Sequence, residues 1–305
     1  MDKIAITTGD PNGIGAEITI KALNELDLPQ DKIVLISNKD VLDYYGKLDK
    51  KYDIIEIPFD KRDIKVGKVT KEAGEFSFQS LLKVREIKPK AIVTAPVAKN
   101  AMYLAGHNFN GQTEVLQKYL AHDNQLAEML FVANNFRVLL LTRHCALKDV
   151  YLTKEIIVKK ITNLVKTFNN HFNIPNPRFA LCGFNPHSGE DGILGREEID
   201  ILIPAVKELQ SLGVDISMPL PADTLFVKAG NHYFKGEKDD YDCYIANYHD
   251  QGLIPIKTVA GDKTVNMTIG LDIIRTSPGH GTAFDIAGQN IADPNGMISA
   301  IREVL

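Results

Sequence analysis

The sequence of 305 residues contains little cysteine, and what it has is scattered. Cys145, Cys182 and Cys243 are odd in number, lie far apart and form no CxxC pair. This pattern argues against a disulfide framework and against a thiolate zinc site. We therefore expect all three cysteines to be reduced.

Long apolar runs and blocks of one charge are also absent. No 18 apolar residues run together, which excludes a membrane-spanning helix. The net charge of −4 comes from intermixed signs, so neither nucleic acid nor a membrane is an expected partner. The N-terminal MDKIAITTGD lacks the apolar length and cleavage pattern of a signal peptide. We expect a cytoplasmic protein that acts on a small molecule.

What the sequence does contain is a regular alternation of short Ile- and Val-rich runs with segments of helical periodicity. This alternation predicts the α/β class, with a mainly parallel sheet covered by helices on both faces. No linker, repeat or low-complexity tract interrupts it, which favours two lobes on one sheet over separate domains. The predicted strand runs are KIAITTG, KIVLIS, KAIVTAPV, RVLLLTRH, RFALCGFNP and YDCYIANYHD, and the predicted helices are Glu17 to Leu26, Val41 to Tyr45, Ile156 to Phe168 and Glu197 to Leu212.

Three histidines, His144, His187 and His249, each lie just past one of these apolar runs. Parallel sheets place ligands at the carboxyl ends of their strands. Three imidazoles brought together there would bind one divalent metal and leave a coordination position open for substrate or water. For each histidine alone, a hydrogen-bonding role in a loop is the alternative. Nearby acids that could orient the imidazoles are Glu190, Asp223 and Asp250.

Cations that could bind an anionic ligand follow His249. Lys257 and Arg275 end strand-like apolar runs in LIPIKTVAGDKTVNMTIGLDIIRTS, and Asn266 lies between them. Arginine offers a bidentate fork for phosphate or carboxylate, whereas lysine offers a point charge or a proton carrier. From the residues alone, a solvated surface position remains the alternative for both cations.

The glycine-rich loop GDPNGIG near the N-terminus fits neither GxGxxG nor the Walker A spacing. We therefore reject a conventional dinucleotide-binding fingerprint there. A tight turn before a helix N-terminus is expected instead, and its free backbone amides could still bind an anion.

Several longer motifs resemble the 4-hydroxythreonine-4-phosphate dehydrogenase (PdxA) family along essentially the whole chain. They are GDPNGIGAEI, TAPVAKNAMYLAG, GQTE, FNPHSGEDGILGREE, LPADTLF, YHDQGLIPIK, VNMTIGL and IRTSPGHGTAFDIAG. The resemblance implies a three-layer α/β/α fold similar to isocitrate and isopropylmalate dehydrogenases, with a cleft between two lobes and an active site at a homodimer interface. The expected lobes are 1–118 plus 270–305, and 119–269.

The resemblance also implies roles for individual residues. His144, His187 and His249 would hold one divalent ion (zinc, cobalt, manganese or magnesium), one of them donated by the partner subunit. Lys257 is the expected proton carrier, with Asp250 as the alternative. The substrate, a small phosphorylated hydroxy acid, would contact Gln112, Thr113, Lys257, Asn266 and Arg275, and NAD or NADP would bind at Gly279, His280, Gly281, Thr282 and Asp285.

The sequence departs from the family pattern at two positions. Gln112 stands where the family has a histidine that contacts substrate, and Gly279 replaces an acid. Glutamine carries no charge near neutral pH. The expected activity is oxidation and decarboxylation of 4-phosphohydroxy-L-threonine in pyridoxal 5'-phosphate biosynthesis. A D-threonate or D-erythronate 4-phosphate dehydrogenase and an inactive binding protein on the same fold are the alternatives.

Overall fold

The computed structural model describes residues 2–305, which fold into two compact units. The first unit contains the chain up to Ala127 together with Val265–Leu305, and the second is Glu128–Thr264. The first unit contains more residues than the lobe expected from the sequence, which was 1–118 plus 270–305. Helix Gln112–Leu120 packs on helix Lys71–Ile87, and strand Val265–Ile269 pairs with strand Ile274–Pro278.

The first unit is built on a six-stranded sheet. Its strand order is β3-β2-β1-β4-β11-β10, and only β10 runs antiparallel to its neighbour. β1, β2 and β4 are buried along their whole length, as expected for strands covered on both faces. The elements are β1 (Ile4–Thr7), α1 (Gly15–Leu26), β2 (Ile33–Ser37), α2 (Lys39–Tyr45), β3 (Asp53–Glu56), α3 (Lys71–Ile87), β4 (Ala91–Thr94), α4 (Lys99–Leu104), α5 (Gln112–Leu120), β10 (Val265–Ile269), β11 (Ile274–Pro278) and α10 (Asn295–Arg302).

The second unit repeats this plan on five strands in the order β5-β6-β9-β7-β8, with β5 antiparallel to β6. Its core packs α8 and α9 against β6 and β9 through side chains such as Leu225, Tyr244 and Ile256. The elements are β5 (Glu128–Ala133), β6 (Phe136–Leu140), α6 (Lys154–Asn170), β7 (Arg178–Leu181), α7 (Ile203–Ser211), β8 (Asp215–Ile216), α8 (Ala222–Lys235), β9 (Cys243–Ala246) and α9 (His249–Ala260).

The predicted α/β class and mainly parallel sheet are confirmed. Each of the six runs named above as predicted strands contains one, and the four predicted helices are present. The last of them is irregular, because a π-helical turn at Glu198–Leu202 precedes α7. None of the helices in residues 2–305 has the length and apolarity needed to cross a bilayer. The cysteines are free, as expected.

The prediction that Lys257 and Arg275 lie at the ends of strands is wrong. Lys257 does not end a strand but lies in α9, because Leu253, Ile256 and Ala260 recur at helical spacing and bury one face. Arg275 is the second residue of β11, not a residue that follows it. The apolar run before Arg275 is broken by a turn at Gly270, whose φ is +83°.

Candidate functional site

Two of the three predicted metal-binding histidines lie side by side in the second unit. β6 ends at Leu140 and β9 ends at Ala246, and these two residues are partners in the parallel pairing of the strands. His144 follows β6, and His249 is the first residue of α9 after β9. Because the strands are neighbours, the centroids of the two imidazole rings are only 5.7 Å apart.

A glycine determines how closely α9 lies on the sheet beneath it. A Cβ atom at Gly252 would be 2.7 Å from Leu140 Cδ2 and 2.9 Å from Ala246 Cβ. A larger residue would therefore push α9 away from β6 and carry His249 with it. Gly252 is thus part of the scaffold that brings the two histidines together.

A pocket of about 240 Å³ opens beside the histidine pair. His249 Nδ1 lies 2.7 Å from Asp250 Oδ1. This hydrogen bond occupies Nδ1 and leaves Nε2 of the ring available to bind a metal ion. Two imidazoles that share one cation at 2.0–2.1 Å have ring centroids roughly 5 Å apart, so the observed separation fits a divalent ion. The pocket is lined by Arg143, His144, Cys145, Leu147, Val150, Tyr248, His249 and Asp250.

The third histidine, His187, is not brought to this pair within one chain. Across residues 2–305, no three His, Cys, Asp or Glu side chains are grouped closely enough to hold a metal ion. His187 is exposed and lies in the loop Pro186–Gly192 after β7. Its position therefore requires either movement of the loop or a ligand from a second copy of the chain to complete a three-histidine site.

The loop that carries His187 has an unusual backbone. Its φ angles from His187 to Asp191 are +50°, +54°, +82°, +42° and +53°, and only the third residue is glycine. Left-handed conformations at non-glycine residues are disfavoured and persist only where surrounding structure enforces them. Here the preceding Asn185 donates its amide to Glu197 and Glu198, and Glu198 also accepts from the Asn185 backbone N–H at 2.7 Å. The hydrogen bond from Asn185 lowers the pKa of Glu197.

In the first unit, four of the predicted substrate-binding residues lie in one group. Gln112 and Thr113 form the first turn of α5, while Asn266 and Arg275 lie on the paired strands β10 and β11. Two threonine hydroxyls, which sequence reasoning missed, contact Arg275, and one of them connects it to Thr113. Arg275 donates to Thr94 Oγ1 at 2.8 Å and to Thr268 Oγ1 at 3.5 Å, the Thr268 hydroxyl lies 3.4 Å from that of Thr113, and Gln112 donates to the Ala95 carbonyl at 3.2 Å.

Arg275 is a buried cation without an ion-pair partner in the described residues. It is 3% exposed, and its hydrogen bonds go to neutral hydroxyls. Burial lowers its pKa to about 9, although the charge of Glu114 acts in the opposite direction. A buried guanidinium paired only with neutral groups is poorly compensated, and a phosphate or carboxylate would compensate it.

Two buried oxygen atoms in the same group of residues also lack partners. Gln112 Oε1 and Asn266 Oδ1 have no hydrogen-bond donor among the described residues. The orientation of the Gln112 amide is fixed, because its nitrogen donates to a carbonyl oxygen that can only accept. The group thus offers one strong anion ligand and two acceptors for O–H or N–H donors, which suits a small polar anion.

The two predicted proton carriers share one helix. Asp250 and Lys257 are both exposed on α9, and their spacing of two helical turns places them on the same face. Asp250 is also the hydrogen-bond partner of His249. Their positions are therefore linked to the histidine pair through α9.

The predicted cofactor segment follows β11 and has no helix or strand of its own until α10. Ala283 is left-handed, with a φ of +42°. Gly279, His280 and Thr282 are half-buried, whereas Gly281 and Asp285 are exposed. His280 Nδ1 lies 3.1 Å from the carbonyl oxygen of the neighbouring Gly281, so this ring nitrogen is used in a local contact.

The GDPNGIG loop forms the tight turn expected before a helix. Gly9 has a φ of +70°, the Gly13 N–H donates to the Asp10 carbonyl at 3.1 Å, and α1 begins at Gly15. Asp10 is fully buried, and burial raises the pKa of its carboxyl group to about 6. A buried carboxylate in the loop weakens the case that the loop binds an anion.

Comparison with known proteins gives consistent results over the full length. A family model described as pyridoxal phosphate biosynthetic protein PdxA matches residues 5–304. A 4-hydroxythreonine-4-phosphate dehydrogenase of Sulfurihydrogenibium sp. is 39% identical over 324 residues, covering 99% of this chain and 97% of that protein. A D-threonate 4-phosphate dehydrogenase of Cupriavidus necator is 36% identical over 327 residues, covering 98% of this chain and 95% of that protein.

Solved structures show the same similarity. A 4-hydroxythreonine-4-phosphate dehydrogenase from Klebsiella pneumoniae has a TM-score of 0.85 and 32% identity, covering 100% of this chain and 98% of that chain. An isocitrate dehydrogenase from Methylococcus capsulatus has a TM-score of 0.55 at 14% identity, covering 100% of this chain and 85% of that chain. The latter likeness concerns the fold alone and confirms the predicted fold class.

Proposed function

Because the chain belongs to the PdxA family of pyridoxal phosphate biosynthetic proteins, we propose that it oxidises and decarboxylates 4-phosphohydroxy-L-threonine to 3-amino-2-oxopropyl phosphate. The reaction would use NAD or NADP and one divalent metal ion, as a step of pyridoxal 5'-phosphate biosynthesis. The observation that carries the proposal furthest is the buried guanidinium of Arg275, which has no ion-pair partner in residues 2–305, in the same group as two unpartnered acceptor oxygens. A phosphorylated hydroxy acid supplies both the anion and the donors that this group lacks.

His144, His187 and His249 would hold the metal ion, which could be zinc, cobalt, manganese or magnesium. The imidazole donor set and the 5.7 Å separation of two of the rings fit such an ion. The residues Gly279 to Gly281, Thr282 and Asp285 would hold the nicotinamide cofactor. When bound, the cation supplies Lewis-acid polarisation of the substrate hydroxyl, and the nicotinamide supplies a hydride acceptor.

The chain's own residues bind the substrate and move a proton. Arg275 would bind the anionic group of the substrate. Asn266 and Gln112 would accept hydrogen bonds from donor groups of the substrate, and Thr113 would fix the orientation of the substrate. Lys257 would accept the hydroxyl proton and return a proton to the product carbon after carbon dioxide leaves. Asp250 is the alternative carrier, although its hydrogen bond to His249 gives it a competing task in orienting that ring.

A homodimer with one histidine donated across the interface would complete the site. His187 lies away from the other two histidines within one chain. Large apolar side chains next to the histidine loops are exposed, and burying them against a second copy would be favourable. They are Leu147 at 68%, Tyr151 at 79%, Ile193 at 80% and Leu194 at 44% exposure. The free cysteines fit the cytoplasmic location that we propose for the enzyme.

Gln112 is equally compatible with a second candidate, a D-threonate or D-erythronate 4-phosphate dehydrogenase. These sugar acids keep the phosphate, the hydroxyl and the carboxylate but lack the amino group. A neutral amide at position 112 can accept equally from a hydroxyl or an ammonium group. The similarity to the Cupriavidus necator D-threonate 4-phosphate dehydrogenase supports this candidate.

The decisive experiment is a spectrophotometric assay of NADH and NADPH formation by the purified protein. The substrates are 4-phosphohydroxy-L-threonine, D-threonate 4-phosphate and D-erythronate 4-phosphate, each tested with added zinc, cobalt, manganese or magnesium. We expect the highest kcat/KM with the amino-acid phosphate. Turnover of a sugar acid phosphate alone would establish the second candidate, and no turnover of any substrate would indicate a binding protein.

A further inference from the structure

The GDPNGIG loop and the helix that follows it contact the segment after β11 at several points. The Ile14 N–H donates to the Thr282 carbonyl at 3.1 Å. Gly13 lies so close to Thr282 that a Cβ atom would be 2.9 Å from the same carbonyl oxygen. At Gly67, a Cβ atom would be 2.9 Å from the Phe284 carbonyl. The first half of this segment therefore rests on the N-terminal part of the chain.

The second half of the segment is held by an ion pair on α1 between a buried glutamate and a partly exposed lysine. Glu17 is 1% exposed, and its Oε1 accepts from the Ala292 N–H at 2.9 Å and from Lys21 Nζ at 2.8 Å. Lys21 Nζ also donates to the carbonyls of Asn290 at 3.0 Å and Ala292 at 2.9 Å. One carboxylate and one ammonium group thus bind three backbone groups of residues 290–292.

The segment itself has few internal constraints. Residues 279–293 contain no helix or strand, and turn contacts link the Ile286 N–H to the Ala283 carbonyl at 3.2 Å and the Gln289 N–H to the Ile286 carbonyl at 3.3 Å. Ala283 and Asn290 are left-handed. A segment without regular structure takes its shape from the contacts around it, and here the charged contacts come from Glu17 and Lys21.

We propose that Glu17 and Lys21 are positioning residues that hold residues 279–292 in the shape that binds the nicotinamide cofactor. This inference rests on the proposed function of Gly279 to Asp285 as the cofactor segment. Neither side chain needs to touch the cofactor. Loss of their contacts loosens residues 290–292 and lowers cofactor affinity, while the residues that bind the substrate, on α5, β10 and β11, keep their positions.

Lys21→Met tests the proposal, and Lys50→Met is its matched control. Lys50 also donates to two backbone carbonyls, of Asp27 at 2.8 Å and Leu28 at 3.1 Å, and pairs with the Asp27 carboxylate at 2.6 Å. The two lysine side chains are similarly exposed, at 28% and 30%. Within residues 2–305, Lys50 makes no hydrogen bond or ion pair with residues 279–292, so Lys50→Met shows the effect of losing such a lysine elsewhere in the first unit.

Two readouts separate positioning from stability. Fluorescence titration of NADH should give a Kd about tenfold higher for Lys21→Met than for the wild type and an unchanged Kd for Lys50→Met. A tenfold change lies within the range of effects seen for residues that do not contact the ligand themselves. Hydrogen exchange should show faster exchange in peptides covering 282–292 for Lys21→Met alone. In assays, KM for the cofactor should rise about tenfold while kcat and KM for the substrate stay within about twofold.

Glu17→Gln provides a second variant that keeps the volume of the side chain. Lys21→Arg should retain most of the affinity for NADH, because the guanidinium group can still reach the carbonyls of Asn290 and Ala292. Equal Kd values and equal exchange in Lys21→Met and Lys50→Met would overturn the proposal. Faster exchange at 282–292 with an unchanged NADH Kd would also overturn it, because the segment would then be held without serving the cofactor. Failure of the wild-type protein to bind NADH or NADPH would instead refute the proposed function.

Discussion

Replacing Arg275 by methionine should leave the fold intact and remove substrate binding. Burial lowers the pKa of this arginine from its usual range to about 9. At 1.36 kcal/mol per pKa unit, keeping the guanidinium charged at neutral pH costs the free protein at most about 5 kcal/mol. Arg275 is protonated in both the folded and the unfolded state well below pH 9, so this cost is constant across neutral pH.

Methionine removes that cost but also removes the hydrogen bonds to Thr94 and Thr268. Each such bond contributes roughly 1 kcal/mol. We therefore expect the free energy of unfolding without ligand to stay the same or to rise by up to about 3 kcal/mol. The kcat/KM should fall at least about a hundredfold, because a buried charge-assisted contact to the substrate anion is lost.

Urea unfolding followed by far-UV circular dichroism measures the first quantity, and initial rates of NADH formation measure the second. Arg62→Met, at an exposed residue paired with Asp60, is the control and should change neither. Arg275→Lys should fall between wild type and Arg275→Met, because it keeps the charge without the fork. A strongly destabilised Arg275→Met protein that retains its kcat/KM would show that the guanidinium is structural and would refute the reasoning.

Three further predictions concern stability. Burial raises the pKa of Asp10 from 3.8 to about 6. The contribution of Asp10 to the free energy of unfolding is therefore fully present below pH 3.8 and is lost as the pH rises through 6. About 3 kcal/mol should disappear over that range, and Asp10→Asn should flatten this part of a urea-unfolding pH profile; an identical profile would contradict the assignment. Lys160 forms a buried ion pair with Glu128, in which burial lowers the pKa of the lysine and raises that of the acid. Lys160→Met should cost about 3–5 kcal/mol, and the double variant with Glu128→Leu should recover most of it; purely additive losses would contradict the coupling. Gly9→Ala should lower the melting temperature, because its Cβ would lie 2.2 Å from the Pro96 carbonyl at a φ of +70°; an unchanged melting temperature would show that the loop can move.

The closeness of His144 and His249 could be anticipated from the sequence. Both follow apolar runs that are recognisable as strands, and strand ends meet at one edge of a parallel sheet. The sequence does not say which strands are neighbours. β7, which precedes His187, also pairs with β9, yet His187 does not join the pair. It is the first of five consecutive left-handed residues, of which one is glycine. No local signal predicts such a backbone.

The surroundings of Arg275 were harder to predict. Short apolar runs do not distinguish a strand from one face of a buried helix, which is why Lys257 was assigned to a strand end. Thr94 and Thr268 were missed because a single threonine inside a strand is ordinary. Thr94 lies 181 residues from Arg275, and their contact arises only because β11 pairs with β4.

Metal content measured together with turnover tests the central claim most directly. The purified wild-type protein is stripped with a chelator, reloaded with one divalent ion at a time, and compared with His249→Ala for bound metal per subunit and for NADH formation. The account predicts that stripping abolishes turnover, that reloading restores it, and that His249→Ala neither retains the metal nor turns over. Unchanged turnover in the stripped protein or in His249→Ala would contradict a metal-dependent dehydrogenase built on these histidines.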